Sequence, residues 1–224
     1  MFKTKFIVGR FKNLIKYLIR YFAIKSFIDR RNLKITGNGE RWDPTLSQWK
    51  DKGHLARYNF AAGQIMNDTV IDIACGTGYG TEILGKFAQK IIGIDISKEA
   101  ITYAKRTHKS GNIFYKVSDF WSFHSNAEVV VSFETMEHIS SIYGMNDICN
   151  KLLSLTNKIV IASVPYLEKE GNNVHHVHFN LDESSFDYIR KNHQITFYYQ
   201  KPDGSILNDK NNELIQNLIL LIKK

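Results

Sequence analysis

Three glycines at alternate positions, Gly76, Gly78 and Gly80, close the apolar run Val70-Ile71-Asp72-Ile73 and open an amphipathic segment at 81–88. An apolar run without helical punctuation, a small-residue turn and then a helical pattern predict a buried strand, a tight turn and a helix. Glycine tolerates positive φ and lets the main chain approach a ligand closely, here at the positive end of the following helix. The turn therefore predicts a nucleotide-like ligand above it. Its spacing is G-x-G-x-G, not the G-x-G-x-x-G of dinucleotide folds, and an acid, Asp72, lies inside the strand.

A second apolar run ends in Asp95, 19 residues after Gly76, where a carboxylate can accept from both hydroxyls of a ribose. A third run, 115–117, leads into Ser118-Asp119-Phe120, a carboxylate and an aromatic face suited to an adenine. In this order, between about residues 69 and 164, the landmarks resemble the class I S-adenosylmethionine-dependent methyltransferases. The resemblance implies S-adenosylmethionine as cofactor, bound by Asp72, Ala74, Gly76, Thr77, Gly78, Asp95, Ile96, Ser118, Asp119, Phe120 and Phe133. A non-catalytic module that merely retains the pocket is the competing class. It has no physical need for all of Asp72, Gly76, Gly78, Asp95 and Asp119.

Strand patterns near 69–74, 90–95, 112–117, 127–133 and 158–164 alternate with helical ones, which predicts a parallel sheet with helices on both faces. The expected fold is a doubly wound, Rossmann-like, mostly parallel seven-stranded sheet with an N-terminal helical extension. A helix is expected over 181–192, and 194–200 with 214–222 suggest a closing antiparallel pair, although the last run reads equally as helix.

The formal net charge of +8 is unevenly spread. Residues 1–34 hold ten Lys and Arg against one acid, leaving 20 bases and 21 acids in 35–224. The division is thus a basic arm at 1–34 and a catalytic domain at 35–224. The near-neutral body argues against nucleic acid as partner. In the arm Ile7, Phe11, Leu14, Ile15, Leu18 and Phe22 share one helical face, interrupted too often by charge to cross a bilayer. This face suits peripheral contact with an anionic membrane, a partner, or packing on the domain. Two cysteines, Cys75 and Cys149, make neither a disulfide framework nor a zinc pattern, so a cytoplasmic setting is expected.

Gly39-Glu40-Arg41-Trp42-Asp43-Pro44 followed by His54-Leu55-Ala56-Arg57-Tyr58-Asn59-Phe60-Ala61 resembles a bacterial methyltransferase subgroup associated with surface-glycan assembly. It implies that Arg41, Arg57 and Tyr58 contact the methionine carboxylate or an anionic substrate; a loop salt bridge with core packing is the alternative.

The fourth strand delivers Glu134-Thr135-Met136-Glu137-His138 to the expected ligand edge, and Asn172-Asn173-Val174-His175-His176-Val177-His178 follows the fifth. Glutamates three apart beside an imidazole gather metal-ligand types on one turn. This E-x-x-E-H pattern with distal histidines resembles the ubiquinone-pathway O-methyltransferases and the cation-dependent small-RNA 2′-O-methyltransferases. The resemblance implies Mg²⁺ or Mn²⁺ held by Glu134, Glu137, His138 and His176, with His175 or His178 as alternatives to His176. Such a cation lowers the pKa of an acceptor hydroxyl. Glu137, His138 and His178 are the catalytic candidates; His138 as general base without metal, and a purely structural turn, are the competing readings. The expected acceptor is a hydroxyl of a sugar or another small polar molecule in glycan assembly. The alternatives are a quinone precursor or other lipophilic molecule and, lower, an RNA 3′ end.

Removal of residues 1–34 should lower binding to anionic liposomes in a sedimentation assay, because most of the net positive charge lies there. Equal binding by the truncated chain would exclude the arm as a membrane contact.

Overall fold

A computed structural model describes residues 52–211 and 213–224. The basic arm and the segment carrying Arg41 lie outside the described residues. The first described element is helix α1 (Lys52–Ala62), followed by β1 (Thr69–Ile73), α2 (Tyr79–Gly85), β2 (Lys90–Asp95), α3 (Lys98–Thr107), β3 (Ile113–Val117) and β4 (Ala127–Phe133). Then come α4 (Met145–Ser154), β5 (Thr156–Pro165), α5 (Asp187–Arg190), β6 (Gln194–Gln200), β7 (Ile206–Leu207) and β8 (Asn217–Lys223).

All the strands join one sheet in the order β3-β2-β1-β4-β5-β8-β6-β7. The four pairings among β1 to β5 are parallel, whereas β8 runs antiparallel to both β5 and β6. Chain order reverses between β1 and β4, so a crevice opens beyond their carboxyl ends.

Alternation along the strands divides the core. Ile71, Ile73, Ile94, Val130 and Val160 pack with Ile148, Cys149, Leu152 and Leu153 of α4. The row Asp72, Gly93, Tyr115 belongs to the opposite face, which Tyr58 of α1, Thr81 of α2 and Ala104 of α3 cover. Helices therefore clothe both faces, as parallel strands require. Local signals agree: Ser97 accepts from Ala100 N–H at the start of α3, Glu99 lies in its first turn and Lys105 and Arg106 in its last.

Three expectations need correction. The helix expected at 81–88 is Tyr79–Gly85, because the turn itself enters the helix from Gly78. In place of a helix over 181–192 there is a 3₁₀ turn, Glu183–Phe186, capped by Asp182, which runs into the four-residue α5. Between Glu183 and Arg190 only Phe186 and Ile189 are buried side chains, too few to hold a longer helix. The sheet has eight strands, not seven, since Ile206–Leu207 adds a short edge pairing to β6. The ambiguous last run is strand: six of its seven residues are buried between β5 and β6, which explains its unbroken apolarity.

Gly80 lies under the Tyr58 ring, where an added Cβ would stand 2.0 Å from Cζ. Gly80→Ala should therefore lower stability by roughly 1–3 kcal/mol through overpacking, read as a lower denaturation midpoint with an unchanged m-value. A variant as stable as the parent would mean that Tyr58 can leave its seat at no cost.

Candidate active site

After β1 the chain reverses through Ala74 (φ 55°), Gly76 (φ 52°) and Gly78 (φ 87°). Cys75 N–H donates to Ile94 O at 2.8 Å and Gly78 N–H to Cys75 O at 3.0 Å, fixing the turn against β2. Gly78 is closely confined: a Cβ would lie 2.6 Å from that of Ala104. Gly76 is open, with nothing within 4 Å of the same added atom. Beside it the Asp95 carboxylate accepts Gly76 N–H at 2.9 Å through one oxygen and Ser97 N–H at 2.8 Å through the other. Next in sequence, Ile96 is 71% exposed, a large apolar surface left to solvent beside a polar turn.

Ser118 N–H donates to Asp95 O at 3.0 Å, which joins the third landmark to the second. Asp119 accepts from Trp121 and Ser122 N–H groups through one oxygen, and the rings of Phe120 and Trp121 meet edge to face at 5.0 Å. Gly76, Asp95, Ile96 and Ser118–Phe120 thus converge on one edge. Thr77, by contrast, is buried.

The structure moves four expected contact residues, Asp72, Tyr58, Phe133 and Arg57, beneath this edge. Asp72 is fully buried; its oxygens accept from Thr81 Oγ1 at 2.6 Å and from the Tyr58 phenol at 3.4 Å. Burial raises its carboxyl to about 7 despite those two bonds, and Asp95 pushes the same way. Tyr58 also packs edge-on against Tyr79 and Phe133, at 5.4 and 5.1 Å, so Phe133 supports Tyr58 from below. Arg57 is buried, with Nη1 donating to Gln200 Oε1 at 2.6 Å and Asn217 Oδ1 at 3.0 Å. The side of α1 that carries Arg57 and Tyr58 faces the sheet, which gives them interior partners instead of an anionic ligand.

Beyond β4 the four expected metal ligands separate. Glu134 takes a left-handed φ of 48°, and its carboxylate accepts from Ser163 Oγ at 2.7 Å and Asn217 Nδ2 at 2.8 Å. Each of its oxygens is thus held by one donor, and it stays outside the ligand cluster. That cluster is Glu137, His138 and His176, whose candidate ligand atoms lie within 4.8 Å of one another. Glu137 has no exposed surface, and among the described residues neither carboxylate oxygen has a hydrogen-bond partner. Burial first, and the neighbouring Glu134 second, hold its carboxyl well above the usual range.

The loop after β5 folds back over this turn. Val177 and His178 N–H groups donate to Glu137 O at 2.8 and 3.3 Å, and the His178 ring meets Ile139 O at 2.9 Å. His138 and His176 lie ring edge to ring face at 4.6 Å. Of the two alternatives for the fourth ligand, His178 holds the loop and His175 offers its carbonyl to His138 Nδ1 at 3.2 Å.

Residues that pattern reading missed do the holding: Ser163, Gln200 and Asn217 around Glu134 and Arg57, and Glu168 and Asn173 around His176. Asn217 is 83 positions from Glu134, so no local spacing could have linked them. Glu168 lay within the histidine-bearing loop, and its carboxylate next to several imidazoles was the one available signal.

Residues 70–158 match a methyltransferase domain family. A probable S-adenosylmethionine-dependent methyltransferase of Mycolicibacterium smegmatis is 24% identical over 104 residues, 45% of this chain and 40% of that one. The ubiquinone biosynthesis O-methyltransferase of Glaesserella parasuis is 25% identical over 120 residues, 49% and 51% respectively. The chain spans about half or less of the length of these curated relatives. Among solved structures, the N-methyltransferase NodS of Bradyrhizobium japonicum in complex with S-adenosyl-L-homocysteine superposes with a TM-score of 0.64 at 14% identity, covering 90% of this chain and 98% of NodS. At that identity the likeness establishes the fold.

Asp72 provides a test of the buried edge. Its folded pKa of about 7 exceeds the ordinary 3.8, so the stability it contributes is complete at low pH and is lost as pH rises through about 7. Asp72→Asn, which keeps the shape and cannot ionise, should remove this part of the fall. Between about pH 4 and about pH 7 the parent should fall relative to the variant by up to roughly 1 kcal/mol per pH unit. Parallel stability curves would show that Asp72 is ionised throughout.

Proposed function

We propose that the chain carries a class I, S-adenosylmethionine-dependent methyltransferase domain, a reading supported by the family match over residues 70–158, the curated relatives and the fold, and that it is a cytoplasmic enzyme that methylates a hydroxyl of a sugar or other small polar acceptor. The setting is the assembly of a surface polysaccharide or lipid-linked glycan, supported by the Gly39–Pro44 and His54–Ala61 motifs. One observation carries the chemistry. The sheet edge that holds a glycine turn open above Gly76 also holds, beyond β4, a buried carboxylate without a partner beside two imidazoles.

The open space above Gly76 fits a cofactor, since main-chain dipoles there can approach it without an intervening side chain. S-adenosylmethionine, when bound, supplies a sulfonium methyl group open to displacement in line by a nucleophile. Asp95 spends one lone pair of each oxygen on a main-chain N–H and keeps another for a ribose hydroxyl. Exposed Ile96, with Asp119 and Phe120, suits the adenine ring. Asp72, Tyr58 and Phe133 keep the turn in position from below.

The orphaned Glu137 carboxylate fits a divalent cation, Mg²⁺ or Mn²⁺, with His138 and His176 as the other ligands. A cation there would lower the pKa of an acceptor hydroxyl. Without one, His138 is the imidazole suited to take the acceptor's proton, since it is exposed whereas His178 is half-buried. A second reading, a lipophilic acceptor such as a quinone precursor, is favoured by exposed Ile142, Leu167, Val174 and Val177 on the loops beyond β4 and β5. Either acceptor suits peripheral membrane association through the basic arm. Among the described residues no helix is long and apolar enough to cross a membrane.

Calorimetry with S-adenosylhomocysteine should register binding, weakened in Asp95→Ala by about 1.5–3 kcal/mol as a charge-assisted bond to the ribose is lost. With labelled S-adenosylmethionine and a panel of glycan and phenolic acceptors, chelator should stop transfer while cofactor affinity persists. Unchanged affinity in Asp95→Ala would put the ribose elsewhere. Full turnover in chelator would remove the cation and leave His138 as the base, with a rate that rises through the imidazole titration.

A further inference from the structure

We propose that Glu168 is the positioning residue of a cation site formed by Glu137, His138 and His176, and that this site prefers Mn²⁺ or a neighbouring first-row transition ion to Mg²⁺. The inference deepens the methyl-transfer reading and relies on it for its purpose, but its grounds are geometric. Both oxygens of Glu137 are buried without a partner, within 4.8 Å of ligand atoms on two imidazoles. An unpartnered buried carboxylate is costly, and a cation removes that cost.

The imidazoles are held from behind. His176 Nδ1 bonds to Glu168 Oε2, so the proton lies on Nδ1 and the lone pair on Nε2. There Nε2 accepts from the Asn173 amide at 3.0 Å, a donor that a bound cation would displace. His138 is held in the same sense, Nδ1 donating to His175 O at 3.2 Å, which leaves its lone pair on Nε2. A carboxylate or carbonyl behind each ring fixes the tautomer and orientation and raises the basicity of the ligating nitrogen. The ring of His176 is nearly buried against the Glu168 carboxylate.

Selectivity follows from what the site lacks. Glu134, which the sequence spacing offers as a second carboxylate, is turned to Ser163 and Asn217 and lies outside the group of ligand atoms within 4.8 Å of one another. The protein donors are then two imidazoles and one carboxylate. Mg²⁺ demands an oxygen shell, whereas imidazole nitrogen suits the transition ions, with affinity rising from Mn²⁺ along the series.

The test is a Mn²⁺ titration of the full chain, followed by electron paramagnetic resonance of the free ion, with S-adenosylhomocysteine affinity measured in parallel. Glu168→Ala should weaken Mn²⁺ binding about 10–100-fold, the range for removing such a supporting carboxylate. Glu168→Gln, which keeps an acceptor oxygen, should recover part of the loss. Glu134→Gln should leave Mn²⁺ affinity near the parent value, Glu137→Gln should abolish binding, and Mg²⁺ should compete only at large excess. Parent affinity in a folded Glu168→Ala, a loss in Glu134→Gln equal to that in Glu137→Gln, or Mg²⁺ competing on equal terms would each overturn the proposal. A parent chain that binds S-adenosylhomocysteine but no Mn²⁺ would overturn it while leaving methyl transfer standing. Absence of S-adenosylhomocysteine binding would instead fail the methyltransferase reading.

Discussion

The reversal of the chain after β1 is the constraint on which the rest depends. Within five residues Ala74, Gly76 and Gly78 adopt left-handed conformations, one of them without the freedom of glycine. A non-glycine residue held there costs about 1–3 kcal/mol and persists only where its surroundings over-determine it. Those surroundings can be named. Cys75 is bonded to β2, the Tyr115 phenol reaches Gly78 O at 3.2 Å, and Ala104 closes the space beside Gly78. The turn is thus made by β2, β3 and α3 as much as by its own glycines, and it presents one open face, at Gly76.

A second left-handed residue, Glu134, marks the other half of the edge. It is secured by a chain of side-chain bonds from Arg57 through Asn217 to its carboxylate, with Ser163 on the other oxygen. Arg57 also bonds to Gln200, whose amide returns to Gly53 O. Through this network α1, β5, β6 and β8 converge behind the turn that carries Glu137 and His138. Arg57 is, in addition, the positive charge that eases the burial of Glu137, opposed by Glu134 and Glu168. Buried polar networks of this kind are strong only when complete, and here completeness fails at Arg57 Nε and at both oxygens of Glu137. The failure lies at the edge where a ligand is expected.

The division of labour among the histidines follows from the loop beyond β5. His178 fastens it, His175 contributes a carbonyl, and only His138 and His176 turn toward Glu137. Residue type could not separate these roles. The three imidazoles lie within four positions of one another, and main-chain bonds from Val177 and His178 to Glu137 O decide which ring faces inward.

Much of the fold was legible in the linear order of residues, because apolar periodicity and glycine punctuation are local properties. Strand positions in the parallel half and the glycine turn followed from spacing alone. The two-residue β7 and the break-up of 181–192 did not, since short elements owe their form to neighbours. At the candidate site, the E-x-x-E-H pattern could not tell Glu134 from Glu137. One carboxylate meets Asn217, brought from the last strand, and the other has no hydrogen-bond partner among the described residues; that difference arises only when β8 inserts between β5 and β6. Likewise Arg57 and Tyr58 carry polar groups that suit a ligand, and only the packing of α1 decided that they face the interior. The sequence by itself determined which chemistry gathers at the sheet edge, and the tertiary structure decided which groups remain available to perform it, because hydrogen-bond partners distant in sequence consume the rest.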